Sequence, residues 1–371
     1  MAGPMNILMV LDSLQVGGTE TYVLSVTKEL QKQGARVIIV ANEGPMMEAF
    51  QKLGCPIYVI DFCSHAISFE EHSRKVFYQL KEIIKREKIT IIHSHQYPSA
   101  HFSSFTAKNL GIPFIFTIHG TYYDVNLLLE IKNDTTFIAV SHPIQEWLQK
   151  NSIPCIMISN GIDTNEFSSH EGKNIVRNQV GIPQNSKILL YCSRLSWEKA
   201  DICIELMKAC AEIVKTDFPD LKLMIIGTGQ HDKNIQNSVY SIEQEVGRQF
   251  ISFLGWKQDL RPFYIISDCV VGTGRVALEA MSCETPVIAA GSKGFLGLIN
   301  PNEYKGLYYY FGDHRHLENW SKENLLQSIT DFLHLSSENQ ISIGKDSRIF
   351  VNRFFHIETT VSQLLCIYTL L

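Results

Sequence analysis

The sequence has no stretch of about 18 apolar residues without a charge, so we expect no membrane-spanning helix. Basic residues are not in excess either. The formal net charge is −5 and is shared between the two halves of the chain, which argues against a nucleic-acid partner. Residues 1–11 contain one apolar run with no basic segment and no cleavage signal, and they predict a first strand rather than a secretory signal.

Several short motifs are missing as well. The nine cysteines are odd in number and form no Cys-x-x-Cys, which argues against a disulfide framework or a zinc site and favours a reducing cytoplasm. No Gly-x-Gly-x-x-Gly occurs, so the fingerprint of dinucleotide-dependent oxidoreductases is absent. No Asp-x-Asp occurs, and we therefore expect a site that works without a metal ion.

The chain does have a regular alternation of β-rich runs and amphipathic segments, which starts again in its second half. This alternation predicts parallel strands with helices on both faces, and 371 residues suit two domains of roughly 150–200 residues. The predicted strands cover 6–11, 36–41, 56–61, 90–93, 114–118, 137–140, 187–192, 222–226, 250–254, 268–271 and 286–289. The predicted helices cover 19–33, 45–53, 70–87, 98–110, 143–150, 199–214, 232–246, 259–266, 275–283 and most of the chain after about residue 323.

Two segments follow a strand and open a helix, which is where open parallel sheets bind ligands. Gly17 and Gly18 precede the first helix, where backbone N–H groups favour an anion; the alternative is a plain tight turn. Arg194 and Lys199 follow the strand 187–192, and a planar guanidinium with an ammonium five residues later suits a diphosphate. The alternative is a solvated pair, or an ion pair with Glu198.

The segment around Arg194 resembles the Gly-Arg-Leu-x-x-x-Lys-Gly motif of the retaining GT-B glycosyltransferases of family 4. Other landmarks of that family are matched in order across nearly the whole chain, and their joint spacing is specific. They are Gly17-Gly18-Thr19-Glu20, Thr117-Ile118-His119-Gly120, Asn160-Gly161-Ile162-Asp163 with Phe167, Ile225-Ile226-Gly227-Thr228-Gly229, Phe253-Leu254-Gly255, Leu278-Glu279-Ala280-Met281 and Thr285-Pro286-Val287-Ile288.

The resemblance implies a GT-B fold, in which two Rossmann-like, doubly wound parallel-sheet domains face each other across a cleft. It places an acceptor-binding domain over residues 1–165, a linker over 166–186 and a nucleotide-sugar donor domain over 187–354. The final helix, 355–371, is expected to pack back on the first domain. The implied activity moves a hexose from a nucleoside-diphosphate sugar, a UDP-sugar, to a glycan, lipid-linked or small-molecule acceptor with retention of configuration, without a metal or other cofactor.

The resemblance also implies residue roles. Arg194 and Lys199 neutralise the diphosphate, on which charge builds as the glycosidic bond breaks. His119 faces the donor sugar, with core packing as the alternative. Glu279 takes the ribose hydroxyls, unless it only serves the helix dipole. The other expected donor contacts are Gly17, Gly18, Thr19, Gly255, Trp256, Gly272, Thr273, Gly274 and Arg275.

The chain departs from the family pattern at four positions. The family carries two glutamates eight residues apart, but Val271 stands where the first is expected. This puts the identity of the donor sugar in question. Arg275 stands where an apolar residue is common, and it either adds a third cation at the phosphates or faces solvent. Ala200 and Glu284 each replace a glycine.

Acceptor contacts are expected from His95, Tyr97 and Tyr122, which lie in or beside predicted loops. His93 and His95 share one face of a strand, and that spacing suits a metal pair, acceptor contact or packing. The basic amphipathic segment 70–87 predicts peripheral contact with the inner face of a membrane, or else a solvated surface helix. Two other functions remain open: a GT-B nucleotide-sugar epimerase, and a degenerate relative that binds nucleotide-sugar without turnover.

Overall fold

The computed structural model describes residues 5–63, 68–169, 172–179, 182–292, 294–302 and 319–371. The chain forms two compact units, Met1–Gly161 with Ile357–Leu371, and Ile162–His356. The first unit contains the strands β1 Asn6–Ser13, β2 Arg36–Asn42, β3 Ile57–Val59, β4 Ile91–Ser94, β5 Phe114–Ile118, β6 Thr136–Ala139 and β7 Cys155–Met157. Its helices are α1 Gly18–Lys32, α2 Met47–Lys52, α3 Phe69–Glu87, α4 Ser99–Leu110, α5 Val125–Ile131 and α6 His142–Lys150, with a 3₁₀ turn at Lys132–Asp134.

The strands of the first unit form one fully parallel sheet with the order β3-β2-β1-β4-β5-β6-β7. Both faces of this sheet are covered, because successive side chains of β1 enter two different cores. Leu8 and Val10 belong to one hydrophobic cluster, whereas Ile7 and Met9 belong to the other. Continuous burial on both faces explains why β1 reads as an unbroken apolar run.

The second unit contains β8 Lys187–Cys192, β9 Leu221–Ile226, β10 Ile251–Gly255, β11 Cys269–Gly272, β12 Val287–Gly291 and β13 Gly294–Leu298. Its helices are α7 Lys173–Gln179, α8 Glu198–Lys215, α9 Asp232–Val246, α10 Arg261–Ile266, α11 Gly274–Ser282, α12 Lys322–His334 and α13 Ser337–Phe354. The strand order is β10-β9-β8-β11-β12-β13. All neighbouring strands are parallel except β12 and β13, whose antiparallel pairing the sequence analysis did not predict.

The last helix, α14 Ile357–Leu370, packs on the sheet of the first unit, where it shares a hydrophobic cluster with β1 and α1. Gly161 explains how the chain passes this helix. A Cβ atom at Gly161 would lie 2.8 Å from the Cα atom of Ile357, so only glycine fits. The Asn-Gly-Ile-Asp segment is therefore built for close packing of the backbone.

The predicted linker 166–186 differs from what the structure contains. Residues 173–179 form α7, although residues 170, 171, 180 and 181 of the segment lie outside the described residues. The buried guanidinium of Arg177 donates hydrogen bonds to the carbonyl oxygens of Ile266, Gln184 and Ser186. These contacts tie the segment to the second unit, which begins at Ile162 rather than at a boundary near residue 187.

No helix within the described residues is long and apolar enough to cross a bilayer.

In each sheet the strand order reverses at one point, between β1 and β4 in the first unit and between β8 and β11 in the second. Loops leave the carboxyl ends of two such neighbours in opposite directions and open a crevice, where open α/β sheets bind ligands. The glycine loop follows β1, and the segment containing Arg194 follows β8. Each unit therefore places its conspicuous motif at its own switch point.

Candidate active site

The glycine loop of the first unit leads from β1 into α1. Gly17 caps α1 with an extended backbone and makes no side-chain cap bond. Gly18 is exposed, and a Cβ atom at this position would meet no other atom within 4 Å. Thr19 follows, half-buried, in the first turn. This helix start therefore leaves open space for an anion, and the donor contact of these three residues stays a prediction.

A hydrogen-bond network joins the carboxyl ends of β1 and β4. The amide of Gln96 accepts from the backbone N–H of Asp12 at 2.8 Å and donates to the carboxylate of Glu20 at 2.8 Å. The carboxylate of Asp12 accepts from the N–H of Ser99, also at 2.8 Å. Burial raises the pKa of Asp12, which the Ser99 contacts oppose. The sequence motifs include Glu20, but they do not predict this network, because its members come from β1, α1 and the segment after β4.

A pocket of about 280 Å³ opens beside this network. The ring of Tyr122 stacks on that of Tyr123 with a centroid separation of 4.6 Å. Gly120 makes room for this arrangement, because a Cβ atom there would lie 2.2 Å from the ring of Tyr122. Aromatic faces next to carboxylates suit a sugar ring with its hydroxyl groups. The lining residues are Asp12, Gln96, Tyr97, Tyr122, Tyr123, Asp124, Leu127 and Leu128.

Of the three predicted acceptor contacts, Tyr97 and Tyr122 line this pocket, but His95 does not. His95 is completely buried. Its neighbour His93 is also fully buried, and both ring nitrogens of His93 are bound to hydroxyl groups, Tyr368 at 2.6 Å and Thr117 at 2.7 Å. These bonds engage both ring nitrogens of His93, and the described residues contain no group of three or more His, Cys, Asp or Glu side chains that could hold a metal ion.

His119 follows β5 and lies beside His95. The Nε2 atom of His119 is 3.3 Å from Nδ1 of His95, and the ring of Tyr22 packs edge-on against His119 at 5.1 Å. Burial lowers the pKa of His119 to about 3. The side chain is therefore neutral at physiological pH and can form hydrogen bonds with an uncharged substrate.

In the second unit, three loops meet at the carboxyl edge of the sheet. The N–H of Ser193 donates to the carbonyl of Ile226, and that of Leu195 donates to the carbonyl of Thr228. A Cβ atom at Gly227 would lie 1.8 Å from the carbonyl oxygen of Ser193, and the N–H of Gly227 donates to Gly255. The glycines of these motifs therefore allow the loops after β8, β9 and β10 to pack directly on one another.

Arg194 and Lys199 occupy this packed edge. The guanidinium of Arg194 is exposed and forms no ion pair with any described residue, whereas Lys199 is half-buried in the first turn of α8. The backbone at Lys199 is held by the hydroxyl of Tyr191, which donates to its carbonyl oxygen at 2.6 Å. The residue before α8, Trp197, has φ 51° and ψ −145° and no cap bond. Such backbone costs about 1–3 kcal/mol and concentrates at functional sites.

The start of α11 and the end of β10 complete this edge. Thr273 precedes α11 with an extended backbone and no side-chain cap bond, and Gly274 has φ 59°. Gly272 ends β11, and a Cβ atom at this position would lie 3.1 Å from a methyl carbon of Val276, tighter than most such contacts. Gly255 has φ 64° and is followed by a half-exposed Trp256. The donor contacts of these residues stay predictions.

The structure contradicts one of the two sequence-based alternatives for Arg275, namely that it faces solvent. Its side chain is only 12% exposed, and its Nε atom pairs with the carboxylate of Glu279 at 2.6 Å. Tyr264 donates to the other carboxylate oxygen at 2.9 Å. Burial raises the pKa of Glu279, and Arg275 opposes this effect. Arg275 thus orients Glu279 instead of facing solvent, and its contact with the donor phosphates stays a prediction. Tyr264, the third member of this group, is not among the residues predicted from the sequence.

The structure also shows the surroundings of the other three positions that depart from the family pattern. Val271 is completely buried in the same hydrophobic cluster as Leu189 and Ile288. Glu284 has φ 60°, the left-handed conformation in which glycine is favoured, which accounts for the glycine of the family pattern. Ala200 is buried in the first turn of α8.

Both halves of the chain match models of known protein families. The family model described as Glycosyltransferase Family 4 matches residues 16–166, and the one described as Glycosyl transferases group 1 matches residues 172–342. The chain belongs to glycosyltransferase family 4, group 1. This confirms the resemblance inferred from the motifs, and the two matched ranges cover one unit of this glycosyltransferase each.

Three similar proteins illustrate the relationship. The alpha-monoglucosyldiacylglycerol synthase of Streptococcus pneumoniae is 24% identical over 81% of this glycosyltransferase and 73% of its own length. The UDP-Gal:alpha-D-GlcNAc-diphosphoundecaprenol alpha-1,3-galactosyltransferase of Escherichia coli is 23% identical over 74% of this chain and 76% of its own. Anabaena HepE, solved with UDP and glucose, has a TM-score of 0.77 at 18% identity over 99% and 100% of the two chains. The last comparison confirms the GT-B fold.

Proposed function

We propose that this glycosyltransferase moves a hexose from a UDP-sugar to a lipid-linked glycan acceptor, with retention of configuration and without a metal ion. The observation that carries the proposal is the edge of the second sheet, where Arg194 and Lys199 accompany the start of α8. The backbone N–H groups at this helix start favour an anion, and the two side chains add positive charge beside them. The strained backbone of Trp197 lies at the same place and is of the kind that concentrates at functional sites.

The reaction then follows from charge. As the bond between the sugar C1 and the diphosphate oxygen breaks, negative charge grows on the leaving group, and Arg194 and Lys199 stabilise it. The acceptor oxygen bonds to C1 on the same face, and its proton passes to a phosphate oxygen. With Val271 in place of a glutamate, the proposal needs no carboxylate nucleophile at that position. Glu279, oriented by Arg275 and Tyr264, keeps lone pairs for the ribose hydroxyls.

The donor is tested by thermal unfolding with ligands. UDP or a UDP-sugar at about 100 times its dissociation constant should stabilise the protein by about 2.7 kcal/mol, whereas free uridine should stabilise it far less. A chelator should leave both the shift and the transfer rate unchanged. Absence of any shift with UDP-sugars, or a shift that needs added magnesium, contradicts the proposal. Isomerisation of the sugar without an acceptor would instead identify an epimerase.

The lipid-linked acceptor is supported by two observations. Of the two curated relatives described above, one is named as the synthase of a glucosylated diacylglycerol and the other as a galactosyltransferase acting on a diphosphoundecaprenol-linked sugar. In the first unit, α3 and α4 expose aromatic rings side by side, with Tyr78 and Phe105 each 57% exposed and both within ring contact of Phe77. The ammonium of Lys81 lies 5.9 Å from the centre of the Phe77 ring. Aromatic rings interleaved with cations suit the interface of an anionic membrane.

Vesicle sedimentation tests this surface. The protein should sediment with phosphatidylglycerol vesicles but not with phosphatidylcholine vesicles, because both apolar contact and charge attraction are required. The double variant Tyr78→Ser/Phe105→Ser should lose most of this binding. Tyr240→Ser is a matched control, since Tyr240 is 70% exposed on α9 of the other unit. Equal sedimentation of the double variant and the control would rule out the α3–α4 surface.

A further inference from the structure

His95 lies between Met9 and His119 in the interior of the first unit. Its Nε2 atom is 3.4 Å from the sulfur of Met9, and its Nδ1 atom is 3.3 Å from Nε2 of His119. His95 is completely buried, so both of its nitrogens depend on these protein partners. Met9 lies within β1, and His95 and His119 directly follow β4 and β5.

The chemistry of the partners decides where the protons are. A thioether sulfur accepts hydrogen bonds and never donates them, so the nitrogen facing Met9 must be the one that carries hydrogen. In a neutral imidazole the other nitrogen is then an acceptor. Nδ1 of His95 therefore accepts from His119, and His119 must carry its own hydrogen on Nε2.

We propose that Met9 and His95 act as positioning residues that hold His119 in the Nε2–H tautomer, which leaves its Nδ1 atom as an acceptor for the substrate. No described residue donates to that Nδ1 atom. The proposal rests on the proposed function only for the identity of the substrate. The tautomer itself follows from contacts within the first unit.

The surroundings keep these rings neutral. Burial lowers the pKa of His119 and of His93 to about 3, and burial together with the two neighbouring histidines lowers that of His95 well below its usual value. The ring of His93 packs against that of His95 at 4.2 Å between centroids. His93 in turn is held by Thr117 and Tyr368, whose hydroxyl groups can donate or accept and so impose no tautomer.

The tautomer has a consequence for substrate choice. A sugar group that meets Nδ1 of His119 must bring a hydrogen, as a hydroxyl or an amide N–H does. A carboxylate at the same place would be rejected, because its oxygens and Nδ1 of His119 are both hydrogen-bond acceptors and neither brings a hydrogen. Because the family resemblance places the donor sugar at His119, the tautomer favours neutral hexose donors over uronic acid donors.

Nuclear magnetic resonance on the full chain with ¹⁵N-labelled histidine side chains tests the assignment. Long-range correlations between ring carbon-bound hydrogens and ring nitrogens distinguish the two tautomers directly, and His95→Asn and His119→Asn spectra assign the signals. At neutral pH we expect both rings to be Nε2–H. Finding His119 protonated on Nδ1 overturns the proposal.

Met9→Leu tests the cause. This swap nearly conserves volume, but it would leave the buried Nε2–H of His95 without an acceptor. Both rings should therefore switch to the Nδ1–H form, in which His95 donates to His119. Met207→Leu is the matched control, because Met207 is equally buried on α8 of the second unit. Unchanged tautomers in Met9→Leu would show that Met9 is not the determinant.

A kinetic arm connects the tautomer to function. For a neutral UDP-hexose, Met9→Leu should reduce kcat/KM by about fivefold to tenfold, the worth of one hydrogen bond, while the unfolding temperature stays near that of Met207→Leu. If the tautomers switch in Met9→Leu but kcat/KM does not change, His119 does not contribute to recognition of the donor. If no nucleotide-sugar is turned over by the parent protein, the proposed function fails, yet the spectra still decide the tautomer.

Discussion

Arg194→Ala is expected to lower kcat for sugar transfer by about 100- to 1000-fold, the effect of losing one fixed donor at a site of developing charge. The reason lies in the second unit, where the guanidinium of Arg194 is exposed and forms no ion pair with any described residue. Its positive charge is therefore available to the diphosphate of the proposed donor. Steady-state kinetics with a radiolabelled UDP-sugar measures the effect.

The controls separate lost chemistry from lost stability. Because Arg194 is exposed, its removal should change the free energy of unfolding by no more than about 0.5 kcal/mol. Arg194→Lys keeps a charge but loses the planar fork, so it should retain part of the rate. Lys345→Ala removes a cation from an exposed position on α13 of the same unit and should leave kcat unchanged. An Arg194→Ala enzyme as fast as the parent would exclude the phosphate-driven mechanism.

Asp268→Ala is expected to cost about 3–5 kcal/mol of unfolding free energy, because removal of one partner leaves buried positive charge uncompensated. The carboxylate of Asp268 accepts from Lys173 at 2.6 Å, from Arg177 at 2.9 Å and from the N–H of Ile188 at 2.7 Å. Arg177 itself is only 2% exposed. Urea unfolding followed by tryptophan fluorescence reports the loss, since three of the four tryptophans lie in the second unit.

The effect depends on pH with a definite sign. Burial raises the pKa of Asp268, but Lys173, Ile188 and Arg177 together lower it further, so its pKa in the folded protein lies below the ordinary value. Its contribution is therefore present at neutral pH and is lost as the pH falls below about 3.9 toward the folded-state pKa. The difference in stability between the parent and Asp268→Asn should shrink over that range. Asp220→Ala, at an exposed position, should change stability by less than about 0.5 kcal/mol at any pH.

The central strands were predictable because local pattern alone decides them. The strands predicted over residues 114–118 and 187–192 have the same bounds as β5 and β8. They are recognisable because a strand buried on both faces must be apolar along its length. The antiparallel β13 was not predictable from the sequence. Its Gly-Phe-Leu-Gly-Leu sequence carries no alternation, and it forms a strand by pairing with β12. Helix α7 was missed for a related reason, since its polar sequence is stabilised by buried contacts of Arg177 that only the fold provides.

The sequence by itself determined that there are two parallel α/β domains, which family they belong to and which motifs end their strands, because those features depend on local composition and spacing. Only the tertiary structure decided the partners of the polar side chains. Arg275 reaches Glu279 within one helix turn, but Tyr264 joins them from another helix. Met9, His95 and His119 meet because β1, β4 and β5 lie next to one another in the sheet, and strand order is a property of the whole chain.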